Sequence, residues 1–192
     1  MSDHLRSGDY EVHSVPTHAE AMARVREWHY ARGGTNTSTY RHGLYRSGLM
    51  GELVGVAIWI PPTKNAALTV SDNWQGVLSL SRLACQPGLP TNAASFLLGG
   101  SMRLIERGRW PVLLTYADTG HGHTGAIYRA TNWRCLGEVP AGDTWTSSDG
   151  RQVGRKRGGK TLTVAEMIAQ GCARNDPSPK IKFVHTVGGR PR

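Results

Sequence analysis

Cysteine is scarce and unpatterned in this sequence: Cys85, Cys135 and Cys172 are an odd, scattered set without CxxC spacing. That excludes a disulfide framework and a cysteine zinc cage, and it suits reduced thiols in a cytosolic setting. Long apolar runs are missing too. None approaches the roughly 20 residues of a membrane span, so no membrane partner is expected. The opening residues, MSDHLRSGDYEVHSV, lack an apolar core, so no secretory signal is expected. Acidic residues are the scarcer charge, with 14 Asp and Glu against 23 Lys and Arg, a net charge of +9. Most of the bases are arginines, whose planar forks suit phosphates, and such an excess is the usual footprint of nucleic-acid binding. A basic surface kept for solubility is the other reading of the same count.

What is present reads as one loop-rich globular unit without internal repeats, 39% hydrophobic with 24 Gly and 10 Pro. The stretch PTHAEAMARVREWHYARGG begins with a capping box, Thr17 and Glu20, and places Met22, Val25 and Trp28/His29 on one face. It predicts an amphipathic helix running to Gly33–Gly34. TNTSTYRHG reads as a loop. ELVGVAIWIPP and GVLSLSRLACQ read as strands, the second with Arg82 inside it. LPTNAASFLLGGSMRLIERGR predicts a helix capped by Thr91 or Asn92 and stopped by Gly108. PVLLTYAD is a short apolar strand of the kind buried in a parallel pair. HTGAIYRATNW predicts a short helix ended by a left-handed Asn132, before the strand WRCLGEV.

This alternation predicts an α/β fold with a parallel core pair and a right-handed crossover. The expected organisation is a single domain with its core at about 10–140. Residues 141–187 form a C-terminal elaboration: a basic hairpin around Asp149–Gly150, a short helix and a late strand. A loose basic tail, 188–192, follows.

Candidate chemistry gathers around YADTGHGHTGAIYRATNW. Asp118 stands where an apolar strand ends, which in an open α/β sheet is the expected ligand crevice, although a turn or cap carboxylate fits equally. Tyr128 follows on the next helix. His29 is either a core histidine or a ligand, with Tyr30 beside it. Histidine, aspartate and tyrosine together offer donors compatible with iron and parts for acid/base work. Arg82 either pairs with a carboxylate such as Asp118 or faces a substrate anion. Ser95 lies in the first turns of the long helix, where amides attract anions. Arg151, Arg155, Lys156, Arg157 and Lys160 could track a phosphate backbone with Trp145 stacking on a base, or form a solvated charge run.

Taken together, WHY, LSRL and YAD-TGHGHTG-IY-ATNW resemble the Mom family of phage DNA-modification proteins, within the wider GNAT acyltransferase superfamily. The resemblance covers roughly residues 17–137. It implies a GNAT-like mixed central sheet whose parallel strands splay to form the active cleft, with flanking helices. It also implies an activity, conversion of the exocyclic amino group of adenine in DNA to a carbamoylmethyl-type derivative that blunts host restriction. Double-stranded DNA is the implied partner and a homodimer the assembly to look for, in the cytoplasm of an infected host. The family's iron ligands fall on His29, Tyr30, Asp118 and Tyr128, and its functional arginine and serine on Arg82 and Ser95, which would put all six in one site with Fe(II).

One departure concerns acyl-CoA. GNAT enzymes grip the pyrophosphate through an Arg/Gln-x-x-Gly-x-Gly/Ala loop, whereas CQPGLPTNAAS has Gly88 alone, followed by Leu89 and Pro90. Proline offers a phosphate no N–H. Two alternatives stand beside the DNA-modification reading: an acetyltransferase acting on a protein, small amine or other modified base, and a non-catalytic DNA-binding or anti-restriction module.

Overall fold

A computed structural model describes residues 4–5, 8–48, 51–140 and 142–186. The tail expected at 188–192 lies outside them. The first half of the chain forms β1 (Tyr10–Ser14), α1 (His18–Trp28), β2 (Tyr40–Arg46), β3 (Leu53–Ile60), α2 (Lys64–Leu68), β4 (Val77–Cys85) and α3 (Ala93–Leu104). Then come β5 (Val112–Asp118), α4 (Ala126–Ala130) and β6 (Arg134–Val139). The remainder holds β7 (Trp145–Thr146), β8 (Gln152–Val153), β9 (Lys156–Arg157), β10 (Lys160–Thr161), α5 (Val164–Ala169), β11 (Ala173–Arg174) and β12 (Lys180–Thr186).

The central sheet has the order β1-β2-β3-β4-β5-β12-β6. Its pairs are antiparallel except β4 with β5. The apolar run of β3 is buried because both its faces are covered. Val56 and Ile58 pack under Met22 and Val25 of α1. Val54 and Trp59 meet Leu97 and Leu98 of α3 on the other side. Each such side chain contributes about 1.5–3 kcal/mol when fully buried.

Four expectations about the elements change, and one about a side chain. First, Thr17 caps α1 by accepting from the Glu20 amide at 3.1 Å, but the helix stops at Trp28 and His29 is extended at φ −100, ψ 135. The His29 ring accepts from the Ala31 amide and its carbonyl from Arg32, local bonds that compete with the helical ladder. His29 and Tyr30 therefore lie on a turn beyond the helix.

Second, α3 ends at Leu104, ahead of Gly108, because Ile105 turns into the core with extended backbone. Third, the polar stretch TNTSTYRHG is loop only in part, since Tyr40–Gly43 open β2. Its buried His42 is satisfied: Nδ1 lies 2.6 Å from Ser101 Oγ, which also accepts from Trp59 Nε1 at 2.7 Å. Left unpaired, either group would cost about 1–3 kcal/mol.

The fourth change matters most for the site. The late strand expected in a C-terminal elaboration is β12, which inserts between β5 and β6 in the central sheet. Its Phe183 is fully buried in the main core. The hairpin around Asp149–Gly150 forms as expected, with Gly150 at φ +79. Trp145, however, is 1% exposed in a small core with Leu162, Met167 and Cys172, so it is not free to stack on a base.

Candidate active site

The β4–β5 ladder has three rungs, Val77 to Val112, Leu78 to Leu113 and Ser79 to Leu114. Beyond them the strands part, and Thr115 Oγ1 reaches Leu80 O only at 3.4 Å. A cavity of about 430 Å³ opens in this splay. Arg82 lines it from β4, Thr115 and Asp118 from β5, Tyr128 from α4, and His29 and Tyr30 from the turn after α1. Five of the six expected residues meet here.

Ser95 does not join them. It borders a separate cavity of about 470 Å³ between α3, the end of α4 and β12, with Arg103, Arg107, Asn132 and His185. Its hydroxyl turns back to donate to the Asn92 carbonyl at 2.9 Å, the bond of an ordinary first-turn serine.

The bend after β5 explains its glycines. Thr119–His121 make one 3-10 turn, Gly122 reverses the chain at φ +72, and Gly125 starts α4 at φ +80. Asn132 ends that helix segment at φ +63, as expected. Asp118 serves as both cap and cleft carboxylate. Its Oδ1 accepts from Gly120 N at 3.2 Å and Ser178 Oγ at 2.8 Å, and Oδ2 lies 3.6 Å from Lys180 Nζ. Burial pushes its pKa up, but Ser178, Lys180 and Gly120 outweigh that and hold it below the usual value.

Tyr30 is sandwiched. Its ring centroid is 4.3 Å from that of His29 and 3.9 Å from that of His121, with His123 at 5.3 Å. Burial, then the Asp118 charge, pushes the Tyr30 phenol up to about 12. Burial raises Tyr128 as well, against a hydrogen bond with Thr115. Among the described residues Arg82 pairs with no carboxylate: its Nε donates to Gly33 O at 2.7 Å and one terminal nitrogen to Ser81 O at 2.6 Å. That leaves a fixed guanidinium in the cleft, suited to an anion.

Burial, with Arg82 second, lowers the His29 pKa to about 3, and burial lowers His42 to about 4. Both rings are neutral in the fold and take up protons near 6.5 once unfolded. Between those values the unfolded chain binds more protons, so stability rises with pH there. Thermal unfolding should show full stability above pH about 6.5 and a falling Tm from there towards pH about 4. A Tm flat or rising on acidification across that window would contradict the neutral assignment.

Sequence reasoning missed Ser178 and Lys180. In SPKIKFVHT the lysine has the spacing of an outward strand residue, and nothing in it signals a neighbour 62 positions upstream. It also missed the wall built by Gln152, whose backbone N–H donates to Ala31 O at 2.8 Å. A Cβ at Gly33 would lie 2.7 Å from Gln152 O, so the turn carrying His29 and Tyr30 needs a glycine at that contact.

The basic segment lies on the two small hairpins. Arg151 pairs with Asp149 at 2.6 Å, Arg155 with Asp143 at 3.3 Å and Lys160 with Glu166 at 2.6 Å. Lys156 is exposed, and Arg157 stands beside it on β9.

At the start of α3, Asn92 does not cap the helix. Its Oδ1 accepts from Leu5 N at 2.7 Å and its amide donates to Leu5 O at 3.4 Å. With Pro90 preceding it, this end is built differently from an open phosphate cradle.

Among the described residues no three His, Cys, Asp or Glu side chains gather to hold a metal ion. Any metal here would depend on the tyrosines too. By donor type His29, Tyr30, Asp118 and Tyr128 do fit a borderline cation: one imidazole held unprotonated, one ionised carboxylate and two phenols in one cleft. A metal on either ring nitrogen of His29 would replace the Ala31 amide bond, because a neutral ring has one lone pair to give.

The sheet order, the splayed parallel pair and the helix after each of its strands define the fold of the GNAT acetyltransferases. A ribosomal-protein-alanine N-acetyltransferase from Brucella melitensis matches with TM-score 0.52 and 11% identity, over 92% of this chain and 99% of its own. A Bacillus subtilis acetyltransferase in complex with CoA gives 0.52 and 8% over 93% and 99%, and an IAA acetyltransferase from Bacillus cereus 0.54 and 9% over 93% and 99%. No curated protein matches the chain in sequence. The family is nevertheless defined: the Mom protein family model matches residues 9–170, and the chain belongs to that family. No helix among the described residues is long and apolar enough to cross a membrane.

Proposed function

We propose that this protein modifies DNA, transferring a carbamoylmethyl-type group to the exocyclic amino group of adenine and so shielding the DNA from host restriction. The observation that carries this is the meeting of His29, Tyr30, Arg82, Asp118 and Tyr128 on one cleft in a member of the Mom family. Adenine's amino lone pair is delocalised into the ring, so holding the reactants together is not enough. A base inside a duplex is out of reach and must be flipped out, and a cavity of about 430 Å³ is of a size to take one.

Ionised Asp118 accepts from the amine N–H, raises the electron density on nitrogen and takes that proton as the nitrogen–carbon bond forms and the bond between the transferred group and its donor breaks. In the metal-free cleft the phenols of Tyr30 and Tyr128 stay protonated at neutral pH, and Fe(II) would have to displace those protons to take them as ligands. Arg82 holds an anionic part of the donor or a backbone phosphate. A His29 pKa near 3 is too low for the general base at neutral pH, so the ring serves as a neutral ligand or hydrogen-bonding partner. Fe(II) held by His29, Tyr30, Asp118 and Tyr128 is the proposed cofactor, and when bound it supplies Lewis-acid or redox assistance.

The second reading, an N-acetyltransferase drawing on acyl-CoA, is favoured by the fold, which it shares with a protein solved with CoA. The start of α3, with Pro90 lacking an N–H and the Asn92 side chain turned to Leu5, weighs against it.

Double-stranded DNA is the proposed partner, held by the net charge of +9 and by the hairpins carrying Arg151, Arg155, Lys156, Arg157 and Lys160. Three of these are already ion-paired, but exposed pairs are worth at most about 1 kcal/mol and exchange readily for phosphates. If about four phosphates are neutralised, duplex affinity should fall about a hundredfold between roughly 50 and 200 mM salt. Fluorescence anisotropy measures this. An affinity indifferent to salt would remove the DNA assignment.

A further inference from the structure

Asp118 has one oxygen committed and one facing a cation. Oδ1 takes the Ser178 hydroxyl and the Gly120 amide, which fills its two lone pairs. Oδ2 faces the Lys180 ammonium at 3.6 Å, longer than the roughly 2.7–2.9 Å of a charge-assisted hydrogen bond. Lys180 stands directly opposite Asp118 in the β5–β12 ladder and lines the same cavity as His29, Tyr30, Arg82 and Tyr128.

The two partners differ in freedom. The Asp118 side chain is 7% exposed and fixed by Ser178, whereas that of Lys180 is 29% exposed on a flexible stem. The ammonium can move into water and the carboxylate cannot. Arg82, the other cation of the cleft, is pinned to two carbonyl oxygens and has no such freedom. A metal ion on Oδ2 would sit close to that ammonium, and like charges a few ångströms apart in a partly dry cleft repel strongly.

We propose that Lys180 is an exchangeable counter-ion, which balances Asp118 in the metal-free cleft and must swing away before a divalent metal binds there. This rests on the metal reading of the site given above. Without metal, Lys180 keeps the buried carboxylate compensated. With metal, the charge it supplied is replaced, and the ammonium is released towards the mouth of the cleft.

Anaerobic calorimetric titration of Fe(II) alone into the full chain tests this on the wild type, Lys180→Gln and Lys180→Arg. Lys180→Gln should bind iron about tenfold tighter than wild type, because the competing charge is gone. Lys180→Arg keeps the charge and should bind like wild type. Thermal unfolding supplies a second readout: metal-free Lys180→Gln should melt below wild type, and Fe(II) should narrow the gap. If wild type binds iron and folded Lys180→Gln binds it no tighter, or if Lys180→Arg tightens as well, the counter-ion role is overturned and the metal site stands. If no variant binds Fe(II), the metal reading itself fails, and this role with it.

Discussion

Replacing Asp118 by alanine is expected to lower adenine modification by about a thousandfold or more while leaving duplex binding within about threefold of wild type. The carboxylate is the ionised acceptor in the cleft, and Oδ2, which faces Lys180 across 3.6 Å, is the oxygen an amine N–H or a metal would take. Its partners are Gly120, Ser178 and Lys180, none of them a basic residue of the hairpins, so backbone affinity should not depend on it. The fold should survive. Lys180 can turn to water, and Ser178 and Gly120 lose one acceptor, a cost of about 1–3 kcal/mol. Asp118→Asn, which keeps the shape but not the charge, should be nearly as inactive. Digestion of plasmid from expressing cells with restriction enzymes that cut at adenine-containing sites measures the loss as lost protection. An Asp118→Ala protein that still protects DNA would move the non-catalytic anti-restriction module ahead of the enzyme.

The largest stability effect is expected at Gly125. Its φ of +80 is strained for any L side chain, and a Cβ there would lie 2.5 Å from Phe183 Cε2 and nearer still to Cζ. Phe183 is fully buried in the main core and cannot step aside. Backbone strain of about 1 kcal/mol and overpacking of about 2 kcal/mol together predict that Gly125→Ala costs about 3 kcal/mol. For a chain of this size that lowers Tm by about 6–12 °C. Gly122 is the control. It shares the left-handed backbone at φ +72, but a Cβ there meets nothing within 4 Å. Gly122→Ala should therefore cost only the backbone part, about 1 kcal/mol. Equal losses at the two positions would show that strain alone, and not contact with Phe183, sets the bend. Activity should follow the same order, because Gly125 places α4 and with it Tyr128.

Much of this was readable from local pattern. The apolar runs of β3, β4 and β5 are strands because nothing else buries so many consecutive branched side chains. The bend after Asp118 is spelled by its glycines, and the left-handed Asn132 by its place before a strand. Five of the six candidate residues line one cleft, since they depend on the parallel pair and the elements next to it. What local pattern could not show is whatever depends on distant partners. His29 leaves its helix through bonds to its own turn. His42 is a strand residue because it pairs with Ser14 and Ala57, and its buried ring is satisfied by Ser101 of α3. Ser95 points to another cavity because the rotation of α3 is set by core packing. Ser178 and Lys180 reach Asp118 because the chain returns after residue 140 to insert β12 beside β5, a long-range pairing that no spacing announces.

The proposed function requires that this cleft alter adenine in DNA. Mass spectrometry of nucleosides from plasmid DNA, grown in cells expressing the wild-type chain, tests it most directly. A new deoxyadenosine species is expected, heavier by the mass of a carbamoylmethyl-type group and lost with Asp118→Ala. Only the four ordinary deoxynucleosides, recovered from cells rich in folded protein, would contradict it.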